Sequence, residues 1–365
     1  MPRKKSVKKK VAKQPVRQKK IIRPSDLPWP DDWDIINIGL SQSLIYQWKT
    51  CKRRFLFILN GYRNPAKDIS TNFGSICHEV MDKVFSNNTP PGNKGVVNII
   101  DRYCDKKLKD GTGVSLQQME VDAAKAEATM IPYFEFYKDD FKTKKYFDVE
   151  SLFQARYSGA TIRGKIDAKY RTKNGKKWLK EHKTKGQIDE DGLLKYLPLD
   201  FQNQFYLTAD RYMTGELAIG VLYNVVRNSR ARPLKNETLM AFKKKVMNEC
   251  RKNPEHFYKR WESTYSEHDL EIFGRDLGFV FDEIKFKNKM HVWPNTWACL
   301  NPWRCEFLSA CSSDSCKSLV QIEGGIHDKL FPELKEDSDG GKKSVSKKKT
   351  AERKTAKRVA KKRKA

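Results

Sequence analysis

The chain has 365 residues, 38% of them hydrophobic and 11% aromatic, enough to bury a substantial core, and a formal net charge of +28. No apolar run approaches the roughly 18–20 residues that a membrane helix needs, and the basic N-terminus lacks the apolar stretch of a secretory signal. Eight cysteines without such a signal point to thiols or metal ligands in a reducing, cytoplasmic setting rather than to disulfides.

Most of the charge sits at the two ends. Residues 1–25 hold eleven Lys/Arg and no acid; residues 340–365 hold thirteen against Glu352 alone, leaving the body at +5. Without aromatics or hydrophobic periodicity, the stretches 1–25 and 336–365 read as disordered basic tails. Their chemistry is that of a sequence-independent polyanion grip that releases counterions from phosphates, or of a solubilising or targeting extension.

A Pro/Trp-rich lead-in runs to Leu40. Ser41 then reads as the N-cap of a helix over 41–60, with Leu44, Ile45, Trp48, Phe55 and Ile58 at helical spacing. A loop over 61–70 precedes a helix over 75–85, and 115–142 reads as a longer helix. From Tyr146 the period changes: 147–157, 160–172 and 176–185 are short β-type runs separated by Ser158-Gly159 and Asn174-Gly175. A helix over 199–213, a buried strand over 217–227 and helices near 235–252 and 265–289 follow. The pattern is α+β, a small central mixed sheet flanked by helices, with 26–335 expected to fold as one domain.

The chemistry gathers around Asn174-Gly175. Glu181 and Lys183 are two apart on a strand and share a face. A two-residue turn would pair Asp167 with His182. A three-residue loop, with Gly175 left-handed, would pair it with Glu181, and only that register unites the groups. Adjacent carboxylates repel unless a cation stands between them; Mg²⁺ or Mn²⁺ suits such hard oxygen ligands. Alone, an Asp and a Glu-x-Lys on a hairpin is a weak pattern.

Its company is more specific. SQSLIYQWKTCKRRFLFILNGY, FGSICHEVMDKVF, GKID, EHKT and DFQNQFYLTA, in that order, resemble the motifs of the PD-(D/E)XK nuclease superfamily, in particular its RecB-like branch. The resemblance implies a restriction-endonuclease-like fold and a Mg²⁺-dependent deoxyribonuclease with Asp167, Glu181 and Lys183 catalytic. It implies His78, Asp167, Glu181 and the backbone carbonyl of His182 as metal ligands, and Gln202 and Tyr206 as DNA-positioning residues. Some members of the branch carry a [4Fe–4S] cluster on one N-terminal and three C-terminal cysteines. Cys51, Cys299, Cys305 and Cys311 resemble that set, a staple between the two ends of the body, with Cys316 as a substitute for Cys311 and zinc as the rival metal. Cys77, Cys104 and Cys250 read as ordinary thiols.

The flavour implied is a stand-alone exonuclease of phage-type recombination, repair or DNA breakdown. It would act on DNA in the cytoplasm, that of the host if phage-encoded, and away from membranes. With no Gly-x₄-Gly-Lys-Ser/Thr loop, a helicase or a single-strand-binding or annealing protein would be a separate partner. The alternatives are a structure-specific endonuclease of the same fold and a non-catalytic DNA-binding or packaging protein.

Overall fold

A computed structural model describes residues 22–65, 72–109, 115–287, 294–302 and 304–331. Both basic tails lie outside these residues, apart from 22–25. In chain order the elements start with β1 (Leu40–Ser41), α1 (Gln42–Thr50), α2 (Lys52–Leu59), β2 (Tyr62–Arg63), α3 (Asn72–Asn87), α4 (Asn93–Lys109) and α5 (Leu116–Phe136). Then follow α6 (Asp140–Thr143), β3 (Lys144–Tyr157), β4 (Ala160–Thr172), β5 (Lys177–Lys185), α7 (Glu190–Tyr196), α8 (Phe201–Thr214) and β6 (Gly220–Arg227). The described chain ends with α9 (Leu239–Lys252), α10 (Pro254–Phe257), β7 (Tyr258–Thr264), α11 (Glu267–Lys287), α12 (Leu308–Ser313), β8 (Val320–Gln321) and α13 (Ile326–Leu330).

The α+β architecture with a central mixed sheet is as expected. β3, β4, β5, β6 and β7 lie side by side; only β5 and β6 run parallel within that row, while β1 adds a short parallel pair to β4. Strand alternation sends odd and even residues of β5 and β6 to opposite faces. Leu179 and Val221 join a core with Ile45, Trp48 and Phe205 under α1, α8 and α11. Trp178, Leu222 and Val226 join another with Val80, Ile100, Met130 and Phe242 under α3, α4, α5 and α9. A satellite core holds Phe57, Tyr62, Phe307 and Cys316.

Several elements depart from the sequence-based expectation. The helix over 41–60 is two helices, because Cys51 adopts an extended conformation (φ −160°) between them. The Ser41 hydroxyl does cap the first, accepting from Leu44 N–H, a cap worth about 1 kcal/mol. The helix over 115–142 ends at Phe136, and the short α6 turns the chain into β3. Helices α4 and α7 and strand β7 had no counterpart in the sequence-based elements. Within the expected loop over 61–70, Tyr62 and Arg63 pair antiparallel with Gln321 and Val320.

The β4–β5 hairpin has the three-residue loop. Ala168 faces Lys180 and Tyr170 faces Trp178, Thr172 N–H donates to Lys176 O, and Gly175 takes φ +79°, a region open to glycine without the Cβ clash. Continued by one residue, this register sets Asp167 opposite Glu181. At that point the sheet forks: β4 pairs with β1 at Ile162 and Arg163 and with β5 only from Ala168 onward.

Candidate active site

Asp167 stands in the fork. Ile166 belongs to the core under α1 and Ala168, two residues on, to the core under α3, so the alternation of β4 breaks at Asp167. On the neighbouring strand Glu150 is left-handed (φ +51°) between Val149, opposite Ala168, and Ser151, opposite Ile166. A non-glycine residue in that region costs on the order of 1–3 kcal/mol and marks over-determined local geometry. The result is a carboxylate brought in from β3 that the sequence pattern did not single out.

His78 comes from α3. A Cβ on Gly74 would lie 2.8 Å from Thr184 Oγ1, so glycine lets the first turn of α3 press against β5. One turn later His78 Nδ1 stands 4.0 Å from Asp167 Oδ1. The ligand atoms of His78, Glu150 and Asp167 all lie within 4.8 Å of one another. They line a cleft of about 560 Å³ together with Gly74, Thr184 and the basic Lys83, Lys106 and Lys107. Lys165, also in the cleft, forms an ion pair with Glu150.

Glu181 and Lys183 meet on the other side of the fork. Lys183 Nζ donates to Glu181 Oε1 and, at 2.8 Å, to Gln202 Oε1. Gln202 Nε2 donates to Glu181 Oε1 at 2.8 Å and lies 3.3 Å from the Tyr206 hydroxyl. Gln202 and Tyr206 sit one turn apart on α8, whose Asp200 cap accepts from Asn203 N–H. Tyr206 reaches the sheet over Gly164, where a Cβ would come within 3.2 Å of its ring. Glu181 therefore joins Lys183 and Gln202 in the structure rather than the histidine-centred trio.

His182 holds the two halves together. Its backbone N–H donates to Asp167 Oδ2 at 2.7 Å, supplying a hydrogen bond where the ladder opens. Its imidazole points to the opposite face, stacked on Phe85 at 5.5 Å and hydrogen-bonded through Nδ1 to Asn224 Nδ2 at 3.0 Å. Asn224 Oδ1 in turn accepts from Tyr133 and Arg260, and Arg260 reaches Asp140. Burial and the nearby Lys180 ammonium hold His182 well below its ordinary range, so the ring is neutral and structural.

The electrostatics are those of buried carboxylates crowded together. Burial, with Glu150 adding repulsion, pushes Asp167 up to about 7. Burial and Asp167 push Glu181 to about 7 as well, and burial raises Glu150 against the pull of Lys165. Burial also lowers His78, leaving a neutral imidazole at neutral pH. Burial works against the Lys183 charge, but Glu181 overrides it and raises the group. Three acids with raised pKa beside a neutral histidine are a donor set suited to a hard divalent cation.

The cysteines of the expected staple are neighbours. Burial pushes Cys311 up to about 11, with Arg53 opposing and Cys51, Cys305 and Cys299 each adding. Asn295 N–H donates to Cys51 Sγ at 3.3 Å and Cys299 lies 3.6 Å from Asn295 O. Cys316 lies beside Asp314 and Tyr62 in the satellite core, against which Cys305 and Cys311 also pack. Cys77, Cys104 and Cys250 are buried in the core under α3. Among the described residues no helix is long and apolar enough to cross a membrane.

No curated relative matches the chain. A family model for the PD-(D/E)XK nuclease superfamily matches residues 39–312, from the residue before β1 to α12 and so across the whole hairpin, α3 and α8. With the carboxylates and the lysine arranged on that hairpin, the chain belongs to the PD-(D/E)XK nuclease superfamily.

Proposed function

We propose that the protein is a metal-dependent DNA exonuclease of the RecB-like branch, acting in phage-type recombination, repair or DNA breakdown. The observation that carries this is the trio of His78, Glu150 and Asp167 in one cleft, with Glu181 and Lys183 paired on the adjoining strand, whose His182 N–H bonds Asp167. His78, Asp167, Glu181 and the His182 carbonyl, joined by Glu150, would hold Mg²⁺ or Mn²⁺. Such an ion supplies Lewis-acid polarisation of the phosphoryl group and a more acidic bound water.

The chain's own residues do the rest. Lys183, kept charged by Glu181, faces the position of a phosphoryl oxygen and stabilises the negative charge that develops there. Gln202 fixes the Lys183 and Glu181 side chains through its two amide atoms, and Tyr206 orients Gln202 while presenting a hydroxyl to the DNA backbone. The cleft lysines meet flanking phosphates, and the basic tails add a salt-sensitive grip.

Cys51, Cys299, Cys305 and Cys311 would hold a [4Fe–4S] cluster. Four neighbouring thiols from both ends of the body support the assignment. Brown, iron- and sulfide-containing protein from anaerobic purification is the expected result; colourless zinc protein would refute the cluster alone.

The nuclease assignment is tested with linear duplex and covalently closed circles in Mg²⁺. Linear DNA should be degraded and circles spared, and Asp167→Ala should abolish degradation while retaining DNA binding. Cutting of the circle would replace the exonuclease with an endonuclease; undiminished cleavage by Asp167→Ala would remove the site assignment.

A further inference from the structure

A second cleft, of about 1030 Å³, opens between α1 and the cysteine segment, lined by Tyr46, Lys49, Arg54, Trp297, Arg304 and Glu306 among others. We propose that it binds single-stranded DNA, stacking bases on Trp297 and Tyr46; the inference rests on the nuclease reading and extends it to the path of the strand. Trp297 is 70% exposed and Tyr46 51%. Aromatic faces left in water and interleaved with cations are the footprint of a single strand, whose unstacked bases offer π-faces and whose phosphates seek Lys and Arg. The acid in the lining, Glu306, is engaged by Arg54 at 3.3 Å.

The cleft connects to the active site through named contacts. The Lys49 ammonium stands 4.7 Å over the Phe201 ring, and Phe201 precedes Gln202, which bonds Glu181. On the surface, Tyr46 lies within electrostatic reach of Tyr196, and Tyr196 of Tyr223, which in turn feels Lys183 and Glu181. Tyr196 is itself 50% exposed. Tyr46 and Tyr196 are thus two exposed rings on the side of the buried Tyr223 away from Lys183.

The outer wall is held by the segment that carries the cysteines. Asn295 Nδ2 donates to Thr50 O at the end of α1, Asn301 Nδ2 donates to Trp297 O, and Cys305 N–H donates to Cys299 O. The extended Cys51 that ends α1 receives the Asn295 N–H. The contacts at Thr50 and Cys51 therefore hold the Trp297 segment against the end of α1, the helix that carries Tyr46.

The test compares full-length wild type with Trp297→Ala, Tyr46→Ala, Trp297→Phe and, as a control from another surface, Phe279→Ala. Binding of fluorescent oligothymidylate is measured by anisotropy in Ca²⁺ at about 0.2 M salt, where pure phosphate contacts weaken. Loss of either stacking ring should reduce affinity roughly fivefold or more; Trp297→Phe should retain most of it and Phe279→Ala all of it. Hydrolysis of thymidine 5′-(p-nitrophenyl phosphate) in Mg²⁺, a substrate too short to reach the cleft, should keep its wild-type rate in every variant. Unchanged oligothymidylate binding by Trp297→Ala would overturn the proposal, as would an equal loss for blunt duplex. Failure of the nuclease reading shows differently, as absence of hydrolysis by the wild type itself.

Discussion

At the scale of single residues, the carboxylates make the metal requirement measurable. Asp167 and Glu181 sit near 7 in the folded protein, so it holds protons that an unfolded chain releases from about pH 4 upward. Metal-free stability should therefore fall as pH rises from that range to about 7 and level off above it. A divalent ion must displace the same protons, so its stabilisation should grow over the same interval. Melting temperatures with and without Mg²⁺ at about pH 5.5 and about pH 8 check both signs; a larger Mg²⁺ effect at the lower pH would contradict the assignment. Glu150→Gln removes a proposed ligand and also the charge that repels the Asp167 carboxylate. The Mg²⁺ needed for half-maximal cleavage should rise roughly tenfold or more, while the acid limb of the pH–rate profile moves to lower pH. A merely structural role for Glu150 would not move the two in opposite senses. Asp167, Glu181, Lys183 and His78 were legible because each lies in a short motif with its own spacing. Glu150 was not, because what brings it in is a left-handed backbone opposite a fork in the sheet. Neither leaves a mark on the local pattern around Phe147–Tyr157.

At the scale of elements, the approach of α3 to β5 sets the position of His78. Gly74→Ala drives a methyl against Thr184 Oγ1 and should lower cleavage by pushing the helix outward. Thr184→Ala removes the obstacle, so the double variant should recover much of the loss. A thermodynamic cycle on cleavage rates measures the coupling, and additive losses would deny the contact. The hairpin was readable from Asn174-Gly175 together with the demand that Asp167 face Glu181, two independent constraints on one register. The break in the opening helix was not, since Leu44, Ile45, Trp48, Phe55 and Ile58 keep helical spacing across Cys51. Strand β7 was not legible because Lys259, Arg260 and Glu262 dilute its alternation; among the described residues it is an edge strand, with β6 alone beside it in the sheet. Arg260 is nonetheless the residue that anchors Asn224 beneath His182. The early end of α5 was equally hidden: its last turn remains apolar through Phe134 and Phe136, and the turn at Tyr137 carries no glycine.

At the scale of the whole molecule, charge and connectivity act separately. Residues 1–25 and 340–365 carry +11 and +12 and the body the candidate site, so deleting residues 1–21 and 340–365 should leave the melting temperature unchanged. DNA affinity should fall, and the plot of log affinity against log salt should flatten by roughly 0.9 for each phosphate that the tails cease to neutralise. A truncated protein with the full salt slope would place the grip on the body instead. Connectivity is the more demanding feature. Tyr62 pairs with Gln321, Ser25 with Asp314, and Trp48 with Glu283. The helices that open the body are thus completed by segments some two hundred and more residues later. Contacts so distant in sequence form late in folding. During synthesis, α1 and α2 must wait beside the growing sheet until the cysteine segment has left the ribosome. A message cut short before that segment would yield the hairpin carboxylates and lysine without the wall that β8 builds against β2 and α12 against α2. A broken transcript therefore yields a chain whose opening helices lack their partners.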